Sequence, residues 1–127
     1  MRAEDRTGLL GEEIAADHLA EAGHLILERR WRSTRGELDL VTIDGDELVA
    51  VEVKTRRGLG YGHPFEAVGP QKLHRLHRLL AEYVSGYPGP RIRRRVDVVS
   101  VLLPPDDARA AEDGTRPRVE HLRDVRP

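Results

Sequence analysis

A chain of 127 residues is long enough to bury one hydrophobic core and too short for two, so we predict a single domain over residues 1–127. Cysteine is absent, which excludes disulfides and thiolate metal sites, so a bound metal would need oxygen or imidazole ligands. No apolar run reaches the roughly 18 residues that cross a bilayer, and the N-terminus lacks a basic-then-apolar secretion signal. We therefore expect a cytoplasmic protein without membrane segments.

The net charge of -1 conceals an uneven distribution of charge along the chain. Residues 1–53 carry 6 Lys and Arg against 13 Asp and Glu, residues 54–95 carry 10 against 2, and residues 96–127 carry 5 against 7. Such a pattern suits a protein that holds a cation in one place and phosphates in another. Blocks of like charge are more often ordinary solvated surfaces, so charge alone does not distinguish such a surface from a binding site for a cation and phosphates.

The predicted elements follow the order helix, strand, hairpin, helix, strand and strand. Thr7 is a candidate cap for the first helix and Gly23 a stop signal. The elements are a helix over residues 8–23, a strand over 24–31, hairpin strands over 37–43 and 47–54, a helix over 71–85, a strand over 95–103 and a short strand over 119–122. Residues 56–70 and the polar stretch 104–117 are predicted loops.

The hairpin carries the most informative residues. Asp44 and Gly45 between two β-rich runs are a strong turn signal. If these two form the loop, counting back places Asp39 across from Ala50 and diagonal to Glu52 on the same face. A three-residue loop would send Asp39 to the opposite face, so the prediction depends on the turn.

Side-chain alternation places Glu37 on the face of Asp39, across from Glu52 in that register, and Lys54 on the face of Glu52. Several carboxylates in close quarters repel one another unless a cation neutralises them. Mg²⁺, or Mn²⁺ in its place, takes oxygen ligands and can activate water against a phosphodiester. Lys54 could then orient or deprotonate that water. A solvated hairpin face with alternating Glu and Lys explains the same residues equally well.

Several short motifs together resemble the YraN family of bacterial proteins, which is assigned to the PD-(D/E)XK nuclease superfamily. They are G-x-x-G-E-E-x-A from Gly8, R-x-W-R from Arg29, G-E-L-D-L from Gly36, V-E-V-K-T-R from Val51, Y-G-H-P-F-E-A-V from Tyr61, and Lys72. The resemblance covers about residues 7–100, and the motif spacing is also similar to that of archaeal Holliday junction resolvases.

The resemblance implies an α/β restriction-endonuclease-like fold, with a central mixed β-sheet flanked by helices. It also implies that Glu12, Asp39 and Glu52 are metal ligands and catalytic residues, with Lys54 as the catalytic lysine. The role of Glu37, which matches the G-E-x-D-L motif, stays open. The expected function is a Mg²⁺-dependent endonuclease that hydrolyses phosphodiester bonds in DNA, branched or structured DNA in particular.

The candidate contacts to nucleic acid are basic or polar residues near the hairpin and on the second helix. They are Arg35, Arg56, Gln71, Lys72, Arg75 and Arg78, and a second basic cluster comprises Arg91, Arg93, Arg94 and Arg95. The basic face of the helix is also what an ordinary amphipathic helix shows.

Two other functions remain open on the sequence: an inactive nucleic-acid-binding module of the same fold, and a protein-interaction domain whose acidic face receives a basic partner. The sequence does not distinguish DNA from RNA. It also leaves open whether the chain forms a homodimer, which cutting a junction would require.

Overall fold

A computed structural model describes residues 2–58, 68–88, 92–105 and 114–127. It contains two helices and five strands in the predicted order. These are α1 (Ala3–Glu21), β1 (Leu25–Ser33), β2 (Gly36–Asp44), β3 (Glu47–Arg57), α2 (Pro70–Ser85), β4 (Arg93–Leu103) and β5 (Arg118–Leu122). The predicted elements are confirmed. The bounds of β2, α2 and β5 differ from the prediction by at most one residue at each end, and those of the other elements differ by two residues or more at one end.

The five strands form one mixed sheet in the order β1-β2-β3-β4-β5. β3 and β4 are parallel, from the pair Glu47 and Arg93 to the pair Arg57 and Leu103, and the other neighbours are antiparallel. Parallel neighbours cannot be joined by a tight turn, so the chain crosses over between them through α2. This arrangement is consistent with the predicted restriction-endonuclease-like fold.

The helices pack on opposite faces of the sheet, each over its own hydrophobic cluster. On the α1 side Ala15, Ala16 and Leu19 pack with Leu40, Val49, Val51, Val99, Val101 and Leu103. On the α2 side Leu73, Leu76, Leu79 and Leu80 pack with Leu38, Val41, Leu48, Ala50 and Val96. Because β3 is covered on both faces, it is apolar at consecutive positions rather than alternating ones, until Glu52 interrupts the run.

The hairpin turn differs from the prediction by one residue. Asp44 pairs with Glu47, so the two loop residues are Gly45 and Asp46. Gly45 has a φ of +61°, and glycine at the first central position is what a type II′ turn requires. The register therefore shifts by two, and Val41 rather than Asp39 lies opposite Ala50. A shift of two preserves the faces, so the predicted side of the sheet is unchanged.

The start of α1 was also predicted too late. The helix begins at Ala3, so Thr7 lies inside it and is not the cap. Arg2 occupies the capping position and makes no side-chain capping bond. Most of the two predicted loops, at residues 59–67 and 106–113, lies outside the described residues, and Arg56 belongs to β3. Neither α1 nor α2, the helices of the described part of the chain, is long and apolar enough to cross a membrane.

Candidate functional site

Asp39 lies where the ladder between β2 and β3 ends. The last backbone pair of the two strands is Leu40 with Val51. Beyond it, the backbone N–H of Val53 donates a hydrogen bond to Oδ2 of Asp39 at 2.8 Å. Leu40 packs on the α1 side, whereas Leu38 packs on the α2 side, so strand alternation is interrupted at this point. A carboxylate thus takes the place of a main-chain acceptor, which fixes Asp39 against β3.

Glu52 is the next residue of β3 after the ladder ends, and its side chain is buried. It alternates with Ala50 and therefore faces α2. Its Oε1 atom lies 3.5 Å from Nζ of Lys54 on the same strand and 2.8 Å from Nζ of Lys72 on α2. The chain has two lysines among its 21 basic residues, and both contact this one oxygen.

The carboxyl of Asp39 is the most perturbed acid in the site. Burial, followed by the negative charge of Glu52, raises its pKa from 3.8 to about 7. The charge of Glu12 raises this pKa further, while the Val53 N–H bond and the Lys72 charge oppose the rise. A raised pKa in an acid means that the folded protein disfavours its charge. Burial and the neighbouring Glu52 carboxylate therefore make the ionised form of Asp39 less favourable than that of an exposed acid.

The two lysines are shifted in opposite directions. Burial, together with the hydrogen bond to Lys72, lowers the pKa of Lys54. Burial also acts to lower the pKa of Lys72, but its contacts with Glu52 and Lys54 outweigh burial and raise it overall. Lys54 thus gives up a proton more readily than an ordinary lysine, which suits a group that receives a proton from water.

Glu12, which the resemblance placed in the metal site, is near Asp39 but engaged elsewhere. Nε of Arg30 donates to Oε2 of Glu12 at 2.9 Å. Over the described ranges, the ligand atoms of Glu12, Asp39 and Glu52 do not form a group within 4.8 Å of one another. The structure therefore brings Asp39, Glu52 and Lys54 together and holds Glu12 beside them in an ion pair.

Arg30 is a neighbour of the site that the sequence did not reveal. It lies between two recorded pairs, Arg29 with Leu40 and Trp31 with Leu38, and so beside Asp39 in the sheet. Its φ of 53° falls in the left-handed region, which non-glycine residues seldom adopt. The sequence does not distinguish Arg30 from the other arginines of β1. Its backbone conformation does, and that is visible only in the structure.

Glu37 does not lie across from Glu52, in contrast to the predicted register. It is paired with Arg32 across β1 and β2, where Nε of Arg32 donates to Oε2 of Glu37 at 3.1 Å near the surface. The two-residue register shift moves Glu37 away from Glu52 along the strand, and the break in side-chain alternation between Leu38 and Leu40 turns it away from the face of Asp39. Glu37 is thus part of a surface ion pair and outside the carboxylate cluster.

The predicted nucleic-acid contacts divide into two groups. Gln71, Arg75 and Arg78 are exposed and, with His74, line an open cavity of about 520 Å³ on α2. The stem of Arg75 lies close to Gly36, and the adjoining Arg35 is exposed at the same turn. Lys72 instead turns to Glu52, and Arg56 donates from Nη1 to the carbonyl of Thr55 at 3.1 Å.

Arg95, predicted as part of a phosphate-binding cluster, is buried and unavailable to a ligand. Its guanidinium pairs with Asp44 at 2.7 Å, with Asp97 at 3.0 Å and with Glu47 at 3.3 Å. Burial acts to lower the pKa of Arg95, but Asp97 and Asp44 outweigh burial and raise it overall. The run of arginines in the sequence did not reveal this role, because Arg93 and Arg94 are exposed and the buried part of β4 begins at Arg95.

A second cluster of potential metal ligands surrounds Asp97, with atoms of His24 and His121 all within 4.8 Å of one another. Asp97 already accepts four hydrogen bonds, two from Arg95, one from His121 and one from the backbone N–H of Asp124. A carboxylate offers about four lone-pair positions, so none remains for a metal. This cluster fastens the C-terminal segment to the sheet.

Comparison with known proteins identifies the relatives of the chain. Residues 11–101 match the model of the uncharacterised protein family UPF0102. A UPF0102 protein of Arthrobacter sp. (strain FB24) is 52% identical, over 98% of this chain and 99% of its own length. A UPF0102 protein of Streptomyces griseus is 45% identical, over 98% of this chain and 99% of its own length. These names state no activity.

Proposed function

The chain belongs to the uncharacterised protein family UPF0102, and we propose that it is a Mg²⁺-dependent endonuclease that hydrolyses phosphodiester bonds in DNA. One observation carries the proposal: two carboxylates, Asp39 and Glu52, meet two lysines where the hairpin ladder ends, and Asp39 has a pKa raised to about 7. Two neighbouring carboxylates, one of which has a disfavoured charge, suit a divalent cation, and the ammonium groups beside them suit a phosphate.

The donor set fits Mg²⁺ or Mn²⁺. These ions prefer oxygen ligands, and Mg²⁺ is often held by only one or two carboxylates with water and phosphate oxygens completing the shell. Asp39 and Glu52 would hold the ion. Glu12 would join them if it left its ion pair with Arg30 and bound the metal instead. When bound, the ion supplies Lewis-acid polarisation of the phosphodiester and a more acidic water.

The other groups have roles that follow from their positions. As a neutral amine, a form that its lowered pKa makes more accessible, Lys54 would take a proton from the attacking water, and as an ammonium group it would stabilise charge on the phosphate. The Val53 N–H holds Asp39 in place through Oδ2. The exposed Gln71, Arg75 and Arg78 of α2 would contact the phosphate backbone independently of base sequence.

The alternative is a binding module that grips DNA without cutting it. The observation in its favour is that two of the three predicted acids are already paired with cations, Glu12 with Arg30 and Glu52 with Lys72. Such a module would use the basic surface of α2 and would not depend on Asp39.

Cleavage assays with one matched pair of variants test the proposal. Labelled single-stranded, duplex and branched DNA are incubated with Mg²⁺ or Mn²⁺ and with wild type, Asp39→Asn or Asp46→Asn. Asparagine at 39 keeps an oxygen for the Val53 N–H, and Asp46 is exposed at the far turn of the same hairpin. We expect cleavage by wild type and Asp46→Asn, with a loss of about 100-fold or more in Asp39→Asn.

The other outcomes are distinct. Salt-dependent DNA binding that is equal in all three proteins, without cleavage, would support the binding module. If none of the three proteins binds or cleaves DNA, the remaining interpretation is that the acidic surface receives a basic protein partner.

A further inference from the structure

Lysine is rare in this chain and concentrated in one place. Two of the 21 basic residues are lysine, and both ammonium groups lie within 3.5 Å of Oε1 of Glu52. Arginine serves at all other basic positions, including the buried ion pair with Asp97. Because both lysines of the chain lie in this site, we infer that the site requires a compact positive charge that can move away from its partner.

The position of Lys72 on α2 strengthens this point. It lies in the first turn of the helix, where the backbone dipole presents positive charge and disfavours a cation. That turn contains no acidic residue, so the compensating charge comes from Glu52 across the site on β3. The side chain of Lys72 is 36% exposed and that of Glu52 is 7% exposed, so the lysine can withdraw to solvent while the carboxylate cannot.

We propose that Lys72 is an internal counter-ion that neutralises Glu52 in the metal-free protein and is displaced from it when a divalent cation binds at Asp39 and Glu52. This inference rests on the proposed function, because it takes the same two carboxylates as the metal ligands. An ammonium group suits the role since it is a point charge on a flexible stem. An arginine would hold the carboxylate through a rigid two-bond fork.

Displacement has a consequence for DNA binding. Lys72 is three residues before the exposed Arg75, which places the two side chains on neighbouring turns of the same helix face. The freed ammonium can there contact a phosphate of the substrate. Metal and DNA would then each increase the affinity of the protein for the other, because both are favoured by the state in which Lys72 has left Glu52.

Binding of Mn²⁺ alone, measured by calorimetry without DNA, tests the inference. Lys72→Met removes the competing charge and keeps the apolar stem, whereas Lys72→Arg keeps the charge. We expect Mn²⁺ to bind Lys72→Met about tenfold more tightly than wild type, and Lys72→Arg no more tightly than wild type. Without metal, Lys72→Met should melt at a lower temperature than wild type, and Mn²⁺ should reverse that loss.

A second measurement follows the lysine itself. With lysine labelled at Cε the chain gives two side-chain signals, and saturating Mg²⁺ should move that of Lys72 towards the value of a solvated lysine. Should Lys72→Met fail to fold, Lys72→Gln provides the same comparison with a neutral side chain.

The possible failures can be told apart. If wild type binds Mn²⁺ and the neutral variants bind it equally or more weakly, the counter-ion role is overturned and the proposed metal site stands. If neither wild type nor the neutral variants bind Mn²⁺, both the counter-ion role and the metal-dependent function are overturned.

Discussion

Neutralising Asp39 should make the metal-free protein more stable, although the residue lies at the centre of the proposed site. The pKa of its carboxyl is raised in the folded state from 3.8 to about 7, chiefly by burial and by Glu52. An acid with a raised folded pKa stabilises the fold fully below pH 3.8, and this contribution is lost as the pH rises through 7. Above that pH the ionised carboxylate destabilises the fold.

The size of the effect follows from the shift. A rise of about 3 pKa units corresponds to about 4 kcal/mol, since each unit is about 1.4 kcal/mol. Asp39 is only half-buried, so water partly screens its charge, and the neighbouring Glu52 side chain can shift in response to it. Both effects make the actual difference smaller than this figure. We expect Asp39→Asn to raise the free energy of unfolding by about 2 kcal/mol at pH 8, with a difference near zero at pH 4.

Urea denaturation in EDTA at pH 4 and pH 8 measures this difference, with Asp46→Asn as the control that should show none. Mn²⁺ should then stabilise wild type and not Asp39→Asn, because a ligand stabilises the state that binds it. If Asp39→Asn is no more stable than wild type at pH 8 without metal, the inference that burial and Glu52 disfavour the charge of Asp39 is wrong.

Further predictions concern stability and binding elsewhere in the molecule. Asp97→Asn should lower the free energy of unfolding by about 2 kcal/mol at pH 7, because the pKa of Asp97 is lowered from 3.8 to about 2 by hydrogen bonds that outweigh its burial. That contribution is complete above pH 3.8 and lost as the pH falls towards 2, so acid titration of both proteins should show the gap closing over this range. In thermal melts, Gly11→Ala should destabilise the protein by about 1 to 3 kcal/mol, because the new Cβ would meet Oγ1 of Thr55 on β3. Gly8→Ala on the same helix is the control: its Cβ would meet nothing within 4 Å, so it should stabilise the protein by up to about 1 kcal/mol. Arg75→Gln should weaken DNA binding on all sequences alike and reduce the slope of log affinity against log salt by about one, as measured by fluorescence anisotropy.

The order of elements could be read from the sequence because it follows from local patterns. Leucines at helical spacing in α2, the apolar runs of β3 and β4, and the glycine-containing turn each depend on residues close in the chain. The face shared by Asp39 and Glu52 was also predictable, because alternation holds along β3 and from the hairpin turn to Leu40 on β2, although it breaks between Leu40 and Leu38. Even the wrong register left it unchanged, since the error was two residues.

Partners distant in the chain could not be predicted in the same way. Lys72 and Arg95 were both assigned to phosphate binding from their charge. The structure instead pairs Lys72 with Glu52 of β3, and it pairs Arg95 with Asp44 of β2 as well as with Asp97 of its own strand. Arg30 contacts Glu12 from a left-handed backbone position in β1. Each pairing depends on which side chains the sheet and helices bring together, and no local pattern in the sequence records that.

The sequence by itself thus determined the elements, their order and the side of the hairpin on which the acids lie, because helices and strands impose fixed periods on neighbouring residues. Tertiary structure alone decided the charge balance of the site, by bringing Lys72 from α2 to the buried Glu52 and by engaging Glu12 with Arg30. The physical reason is that burial and the nearest opposite charge set the electrostatics of a carboxylate, and both are properties of the packed chain.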